Sequence, residues 1–145
     1  MKAINKVATG VFCQLLEKMA GKEYLKIEKE GFMPLTIERI GIGIETIWGK
    51  GSLYALLHHY VQEGDFVKDP EVDFLVVDGR KETANDIERV KIFPCSFEQS
   101  NLGIYEDSIV FRDHAIHEYN KAMQQDHAEF AEIWLENIRE QGFLI

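Results

Sequence analysis

The chain predicts an α+β fold: a mostly antiparallel sheet of about five or six strands, with N- and C-terminal helices packed on one face. Three observations carry this expectation. Apolar residues recur at helical spacing near both ends, β-branched and aromatic runs fill the middle, and turn-forming dipeptides separate those runs. The 145 residues suit a single α+β domain over 1–145. A chain of this size buries roughly 68–70% of the surface it exposes when unfolded, enough for a core without staples.

Lys2 to Ala20 reads as the first helix. Ile4, Val7, Val11, Leu15 and Met19 form its stripe, and Gly21 follows as a stop. Cys13 falls opposite the centre of that stripe and is expected at the periphery. Tyr24 to Glu28 and Phe32 to Ile40 read as strands on either side of Glu30-Gly31. Ile40-Gly41-Ile42-Gly43-Ile44 reads as a bent or bulged strand, with a close-approach cleft floor as the alternative. It is no phosphate loop, because G-x-G-x-x-G and a Walker lysine are both missing. Trp48, among glycines, is expected to be a lid on the core rather than an exposed contact.

Ser52 to Gly79 organises the middle of the chain. Ser52 to Gln62 is apolar on both faces, as a covered strand is. Glu63-Gly64 breaks the run, and Val72 to Val77 forms the return. A two-residue turn there sets Gln62 opposite Asp65, Tyr60 opposite Val67 and His58 opposite Asp69. His58, Tyr60, Asp69 and Glu71 then share a face, although a bulge at Pro70 would shift the register beyond Asp69. Arg80 to Arg89 reads as a polar excursion with a short helix capped by Thr83, carrying Ile87 inward. Val90 to Gln99 and Leu102 to Phe111 read as the last strands. Asp113 is expected to cap a final helix from His114 to Gln141, with Ile116, Tyr119, Met123, His127, Phe130, Trp134 and Ile138 as its stripe.

Charge narrows the function classes. The formal net charge is −9, which disfavours direct binding to nucleic acid or anionic membranes and permits basic partners. Cys13 and Cys95 sit in no metal-ligand spacing; two reduced cytosolic thiols is the plainer reading, a disulfide the alternative. No signal-peptide core and no apolar run of membrane-spanning length is present, so a cytoplasmic location is expected.

No complete catalytic signature is present. His58 beside Asp69 and Glu71 is the candidate catalytic group, since a carboxylate can fix an imidazole tautomer and raise its basicity. A cross-strand polar pair is the plainer reading of the same residues. Tyr60, Asp65, Trp48 and Tyr105 are the candidate binding residues. The acidic run from Glu63 to Asp73 lacks EF-hand order, and His114, His117 and His127 cannot converge from one helix. No metal ligand set and no cofactor is expected. His127 reads as a core or boundary histidine, with His114 and His117 solvated.

Several short fragments carry a resemblance. GFMPL (31–35), HY (59–60), GD (64–65), DPE (69–71), NLGIY (101–105) and NIREQGF (137–143) occur in that order. In these the chain resembles an uncharacterised family of small bacterial domains often carried by plasmids, conjugative elements and phages. The pieces at 42–51 and 80–89 look like additions to that pattern. The resemblance implies a compact domain and a mobile-element context, and no activity. The leading expectation is a small cytosolic binding or accessory module acting through protein contacts, with nucleic-acid mimicry as a minor variant. The competing one is a small hydrolase or metal-assisted enzyme built on His58, Asp69 and Glu71. A homodimer is a further expectation, because two helices cover only one of the two apolar faces of the Ser52–Gln62 strand.

Overall fold

The computed structural model describes residues 1–81, 83 and 85–145. The elements run α1 (Lys6–Met19), β1 (Tyr24–Ile27), β2 (Leu35–Thr46), β3 (Gly49–Gln62), β4 (Asp65–Asp78), β5 (Val90–Gln99), β6 (Ile104–Asp107), β7 (Ile109–Arg112), β8 (Ala115–Tyr119) and α2 (Lys121–Glu140). Short 3₁₀ turns lie at Ile87–Arg89 and Ser100–Leu102. The fold is α+β with terminal helices, as expected, but among the described residues the sheet has eight strands rather than five or six. Their order is β6-β5-β4-β3-β2-β8-β7, with β1 also on β2, and every pairing except β2–β8 is antiparallel.

Two of the extra strands arise where a single strand and a helix were expected. The segment after Leu102 breaks at Ser108 into β6 and β7. The first half pairs with β5 and the second with β8, so the two ends of the sheet are joined through one residue. His114 to Tyr119 is not helical. Asp113 and His114 both adopt positive φ, 54° and 60°, which turns the chain into a hairpin and prevents a helix from starting there. Ile116 and Tyr119 therefore belong to β8, and Asn120, not Asp113, caps α2 by accepting the Met123 N–H at 3.0 Å.

α1 begins at Lys6, not Lys2. The Asn5 side chain accepts the Ala8 N–H at 2.9 Å and closes the helix end. The residues before it run beside β5, where the Ile4 N–H donates to the Ile92 carbonyl at 2.9 Å. The buried Gln124 amide completes this contact. Its Oε1 accepts the Lys2 N–H at 2.6 Å, and its Nε2 donates to the carbonyls of Lys2 and Pro94 at 2.8 and 3.3 Å. Cys13 is buried, not peripheral, because the segment carrying Asp78, Arg80 and Ile87 covers that side of α1. Burial pushes its thiol pKa up, Arg80 partly opposing. The short helix expected from Thr83 runs through Ala84 and so lies outside the described residues, though Ile87 packs against the core.

The sheet packs on both faces. α1 and α2 cover Leu35, Ile37, Leu56, Val72, Phe74, Val76 and Ile92 on one face, with Phe12, Leu15, Leu135 and Ile138 pressed into them. On the other face Leu75, Val77, Phe93 and Cys95 meet Ile44, Ile109, Phe111 and Ile116. That second cluster covers only part of its face.

The hairpin turn falls at Glu63-Gly64, with φ of 52° and 84°, the backbone a two-residue turn between twisted strands needs. Gln62 faces Asp65 and Tyr60 faces Val67, as expected. The register then shifts: His59 pairs Lys68 and Leu57 pairs Glu71, leaving Asp69 and Pro70 together opposite His58. The Ile40–Ile44 piece is likewise bulged, with register shifts on both sides of Gly41, so Ile44 is buried while Ile40 and Ile42 are exposed.

Candidate functional site

The bulge decides which side chains can meet. His58 points to the helix face, where its ring contacts Trp134 and Phe143 at centroid distances of 5.8 and 5.3 Å. Its Nδ1–H is shared between the carbonyls of Met33 at 3.2 Å and Pro34 at 3.3 Å. Burial lowers its pKa; the carbonyls and the Asp69 charge partly oppose this. Asp69 instead accepts a hydrogen bond from the Gln99 amide. Glu71 pairs with Leu57, so it lies on the face away from His58. The His58/Asp69/Glu71 grouping expected from sequence is therefore not brought together, because the extra residue at Asp69-Pro70 reverses the facing of everything beyond it.

A different set assembles on the uncovered part of the second face. Cross-strand neighbours there run Thr36, Leu57, Glu71, Glu98, Tyr105 in one row across five strands. The next row runs Glu38, Ala55, Asp73, Ser96, Asp107. Tyr24 on β1 extends the second row beside Glu38, and His59 and Lys68 pair just beyond the first. Side chains in register project to the same side.

Lys68 Nζ reaches Glu71 Oε1 at 3.1 Å and Glu98 Oε1 at 3.5 Å. Burial works against its ammonium, but the two carboxylates outweigh that and raise its pKa. His59 is buried, stacks on Phe66 at 4.9 Å and bonds Thr36 Oγ1 through Nε2 at 2.8 Å. Its pKa is lowered by burial first, then by Lys26 and His58.

The Asp73 carboxyl group carries the largest electrostatic signal. Burial first, and contact with Glu71 second, push its pKa up to about 8, against opposing pulls from Ser96 and Lys68. Its Oδ1 is buried without a hydrogen-bond partner. A cavity of about 390 Å³ opens beside Glu71 and Lys68, lined also by Glu38, His59 and the exposed Tyr24 and Phe66; Asp73 is not among its lining residues. Among the described residues no group of three or more His, Cys, Asp or Glu is arranged to hold a metal ion.

The four residues singled out for binding do not share a site. Tyr60 on β3 and Asp65 on β4 lie beside the hairpin tip. Trp48 lies at the other end, stacked on Phe93 at 4.8 Å and still 40% exposed, so it both caps the second cluster and faces solvent. Only Tyr105 belongs to the charged rows. A larger cavity of about 500 Å³ beside Trp48 is lined mainly by Met1, Ile47, Ile116 and Tyr119; Glu45 and Thr46 are its polar members. It offers less chemistry than the charged rows.

His127 is buried, as a core histidine, while His114 and His117 are exposed. Its Nδ1 meets Ser108 Oγ at 2.7 Å and its Nε2 meets Glu106 Oε1 at 3.1 Å. This Ser–His–Glu chain has the residue types of a hydrolytic triad, but Ser108 is 0% exposed and cannot reach a substrate. It ties α2 to the joint between β6 and β7.

Sequence reading did not single out His59, Lys68, Asp73, Ser96 and Glu98. The available signal was the spacing of Glu71 and Asp73, two apart in a strand and so on one face. Using it needs the register of five strands.

No helix among the described residues is long and apolar enough to cross a membrane. Comparison with curated proteins and with solved structures finds no match. The model of one family, described as a domain of unknown function (DUF6908), matches residues 10–144, and the chain belongs to that family.

Proposed function

We propose that this domain is a binding or accessory module that meets a protein partner through the uncovered, charged half of its second sheet face. The observation that supports the reading is the register itself. It gathers Glu38, Glu71, Asp73, Glu98 and Asp107 on one face, Glu38 and Asp107 exposed and the others partly buried, next to the exposed side chains of Tyr24, Ile40 and Phe66. Exposed aromatic side chains are common interface anchors, and the carboxylates beside them supply electrostatic complementarity to a basic partner. A single domain over 1–145, a cytoplasmic location and a mobile-element context belong to the same proposal. So does a homodimer, for which light scattering giving a strict monomer at high concentration is the contrary result.

The test is a pull-down from a bacterial lysate with three baits: the wild-type chain, a Phe66→Asp, Ile40→Asp double variant, and a charge-matched unrelated protein. Both substituted side chains are exposed, so folding is expected to survive. Proteins recovered by the wild type and lost with the variant support this face. Identical recovery by wild type and variant removes it.

One observation favours an enzyme as the second reading. The Asp73 carboxyl group, its pKa raised to about 8 by burial and by Glu71, stands next to a Glu71 that lines a cavity, and a carboxyl group so raised suits a general acid. In that reading Glu71 and Asp73 carry the chemistry, with Lys68 positioning Glu71. His58, bonded to two carbonyls on the other face, would take no part, so a stable His58→Ala variant is expected to keep any activity found.

A further inference from the structure

We propose that Ser108, His127 and Glu106 form a proton-operated latch at the joint between β6 and β7: the neutral imidazole closes it, and a second ring proton releases the Ser108 side. The latch stands apart from the proposed contact face and needs no partner to operate.

Donor and acceptor chemistry fixes the closed form. Glu106 Oε1 lies 3.1 Å from His127 Nε2, and a carboxylate only accepts, so Nε2 carries the ring proton. Nδ1 is then an acceptor, and the Ser108 hydroxyl donates to it at 2.7 Å. Each polar atom along this Ser–His–Glu chain has a partner in that one tautomer, although Ser108 and His127 are only 0% and 4% exposed.

A second proton, on Nδ1, upsets one of the two bonds and spares the other. Nε2–H still donates to Glu106, and the new charge strengthens that contact. Nδ1–H, however, now aims a donor at Ser108 Oγ. The hydroxyl must turn its own proton away, at a position with no solvent to receive it.

Ser108 is the residue through which the joint is held. Its N–H donates to the Cys95 carbonyl at 2.9 Å, and its own carbonyl accepts the Asn120 N–H at 2.8 Å. β5, the two ends of the sheet and the cap of α2 therefore meet there. β6 also carries Tyr105 and Asp107 of the charged rows, so an open latch loosens that end of the face.

The groups around the imidazole are few. β6 brings Glu106, and β5 brings the Phe97 ring, stacked at 5.9 Å, and Cys95, whose thiol pKa burial pushes well up. Asp107 and Glu118 line the cleft beside Ser108. The residues before α1 bring Lys2, whose ammonium pairs with Glu129 at 3.9 Å. On α2 itself the neighbours three and four residues away, Met123, Gln124, Phe130 and Ala131, carry no charge.

The experiment is nitrogen NMR of the full chain across about pH 5 to 8, where imidazoles titrate, with native-state amide exchange in the same samples. The wild type is compared with Ser108→Ala and with His127→Gln, which has no ring to protonate. Exchange at positions 108 and 120 is taken as a ratio to the β3–β4 amides, which cancels the solvent's own pH effect. The neutral wild-type ring should carry its proton on Nε2. As the ring gains its second proton the ratio should rise by about tenfold, the effect of one stranded donor. It should stay level in both variants. A neutral ring protonated on Nδ1 overturns the proposal, as does a level wild-type ratio through the titration. So does an equal rise in Ser108→Ala, or a ring that takes no second proton before the whole chain unfolds.

Discussion

Glu71 and Asp73 stand two apart on one face of β4, and burial first and the neighbouring Glu71 second raise the Asp73 pKa to about 8. Ionised Asp73 is therefore a stability liability. The folded pKa of Asp73, about 8, lies above its ordinary value of 3.8. Between those values the folded chain holds more protons than the unfolded chain, so this group's contribution to stability falls as pH rises. Asp73→Asn keeps the shape and removes the ionisation. It should be more stable than wild type by about 1–3 kcal/mol at pH 8, with the gain shrinking towards pH 4. Urea unfolding at several pH values checks this; a variant weaker than wild type at pH 8 would show that the carboxyl group is well solvated.

His58 works in the opposite sense. Its folded pKa is lowered below the ordinary 6.5, chiefly by burial under Trp134 and Phe143. As pH falls through 6.5 the unfolded chain gains a proton that the folded chain refuses, so stability is lost on acidification. An asparagine can place its amide N–H near where Nδ1 donates to Met33 and Pro34, without a charge to acquire. His58→Asn should therefore lose about 1–2 kcal/mol at pH 8 from poorer filling, and that deficit should narrow or reverse below pH 6.5. A deficit that widens on acidification would mean the imidazole is readily protonated in place. His58 and Asp73 act with opposite sign just below pH 6.5, so the two variants are needed to separate their contributions.

The hairpin was legible because its signal is local. Glu63-Gly64 interrupts two extended runs, and both residues take the positive φ that a two-residue turn demands. The facing of Glu71 was not legible, because one added residue at Asp69-Pro70 moves every later side chain to the other face. The segment from His114 to Tyr119 misled for a different reason. Ile116 and Tyr119 fit the stripe of the helix that follows, and over so few residues a helical spacing cannot be told from a strand. Only the turn conformation at Asp113 and His114 settles it. The charged rows needed long-range register, which local pattern does not carry.

The helix-face core should respond sharply at Phe74. It is fully buried on β4 and packs against Phe12 at a centroid distance of 4.9 Å. Truncation removes ring contacts from both α1 and the sheet. Phe74→Ala should destabilise by about 3–5 kcal/mol. Gly51 offers the converse test on the other face. A Cβ there would lie 2.7 Å from Leu75 Cδ1 and 3.2 Å from the Val76 carbonyl oxygen. Gly51→Ala should cost about 1–3 kcal/mol by overpacking, unless Leu75 rotates away at no penalty. Thermal melts of both variants decide.

Gln124 tests whether the residues before α1 are part of the folded unit. Its amide is almost wholly buried and satisfies both backbone groups of Lys2 while also donating to Pro94. In effect one side chain splices the first residues onto β5, next to the Ile4–Ile92 backbone bond. Gln124→Ala strands these groups and should cost about 1–3 kcal/mol. Gln124→Glu should do worse at neutral pH, because a buried carboxylate cannot donate and would face the carbonyls of Lys2 and Pro94. Amide exchange gives the sharper readout. The Ile4 N–H, protected by the Ile92 carbonyl, should exchange faster in both variants than the decrease in global stability requires, while the β3–β4 amides follow global stability alone. If Ile4 and the central strands shift by the same factor, the first residues open only with the whole molecule, and the splice is no separate unit.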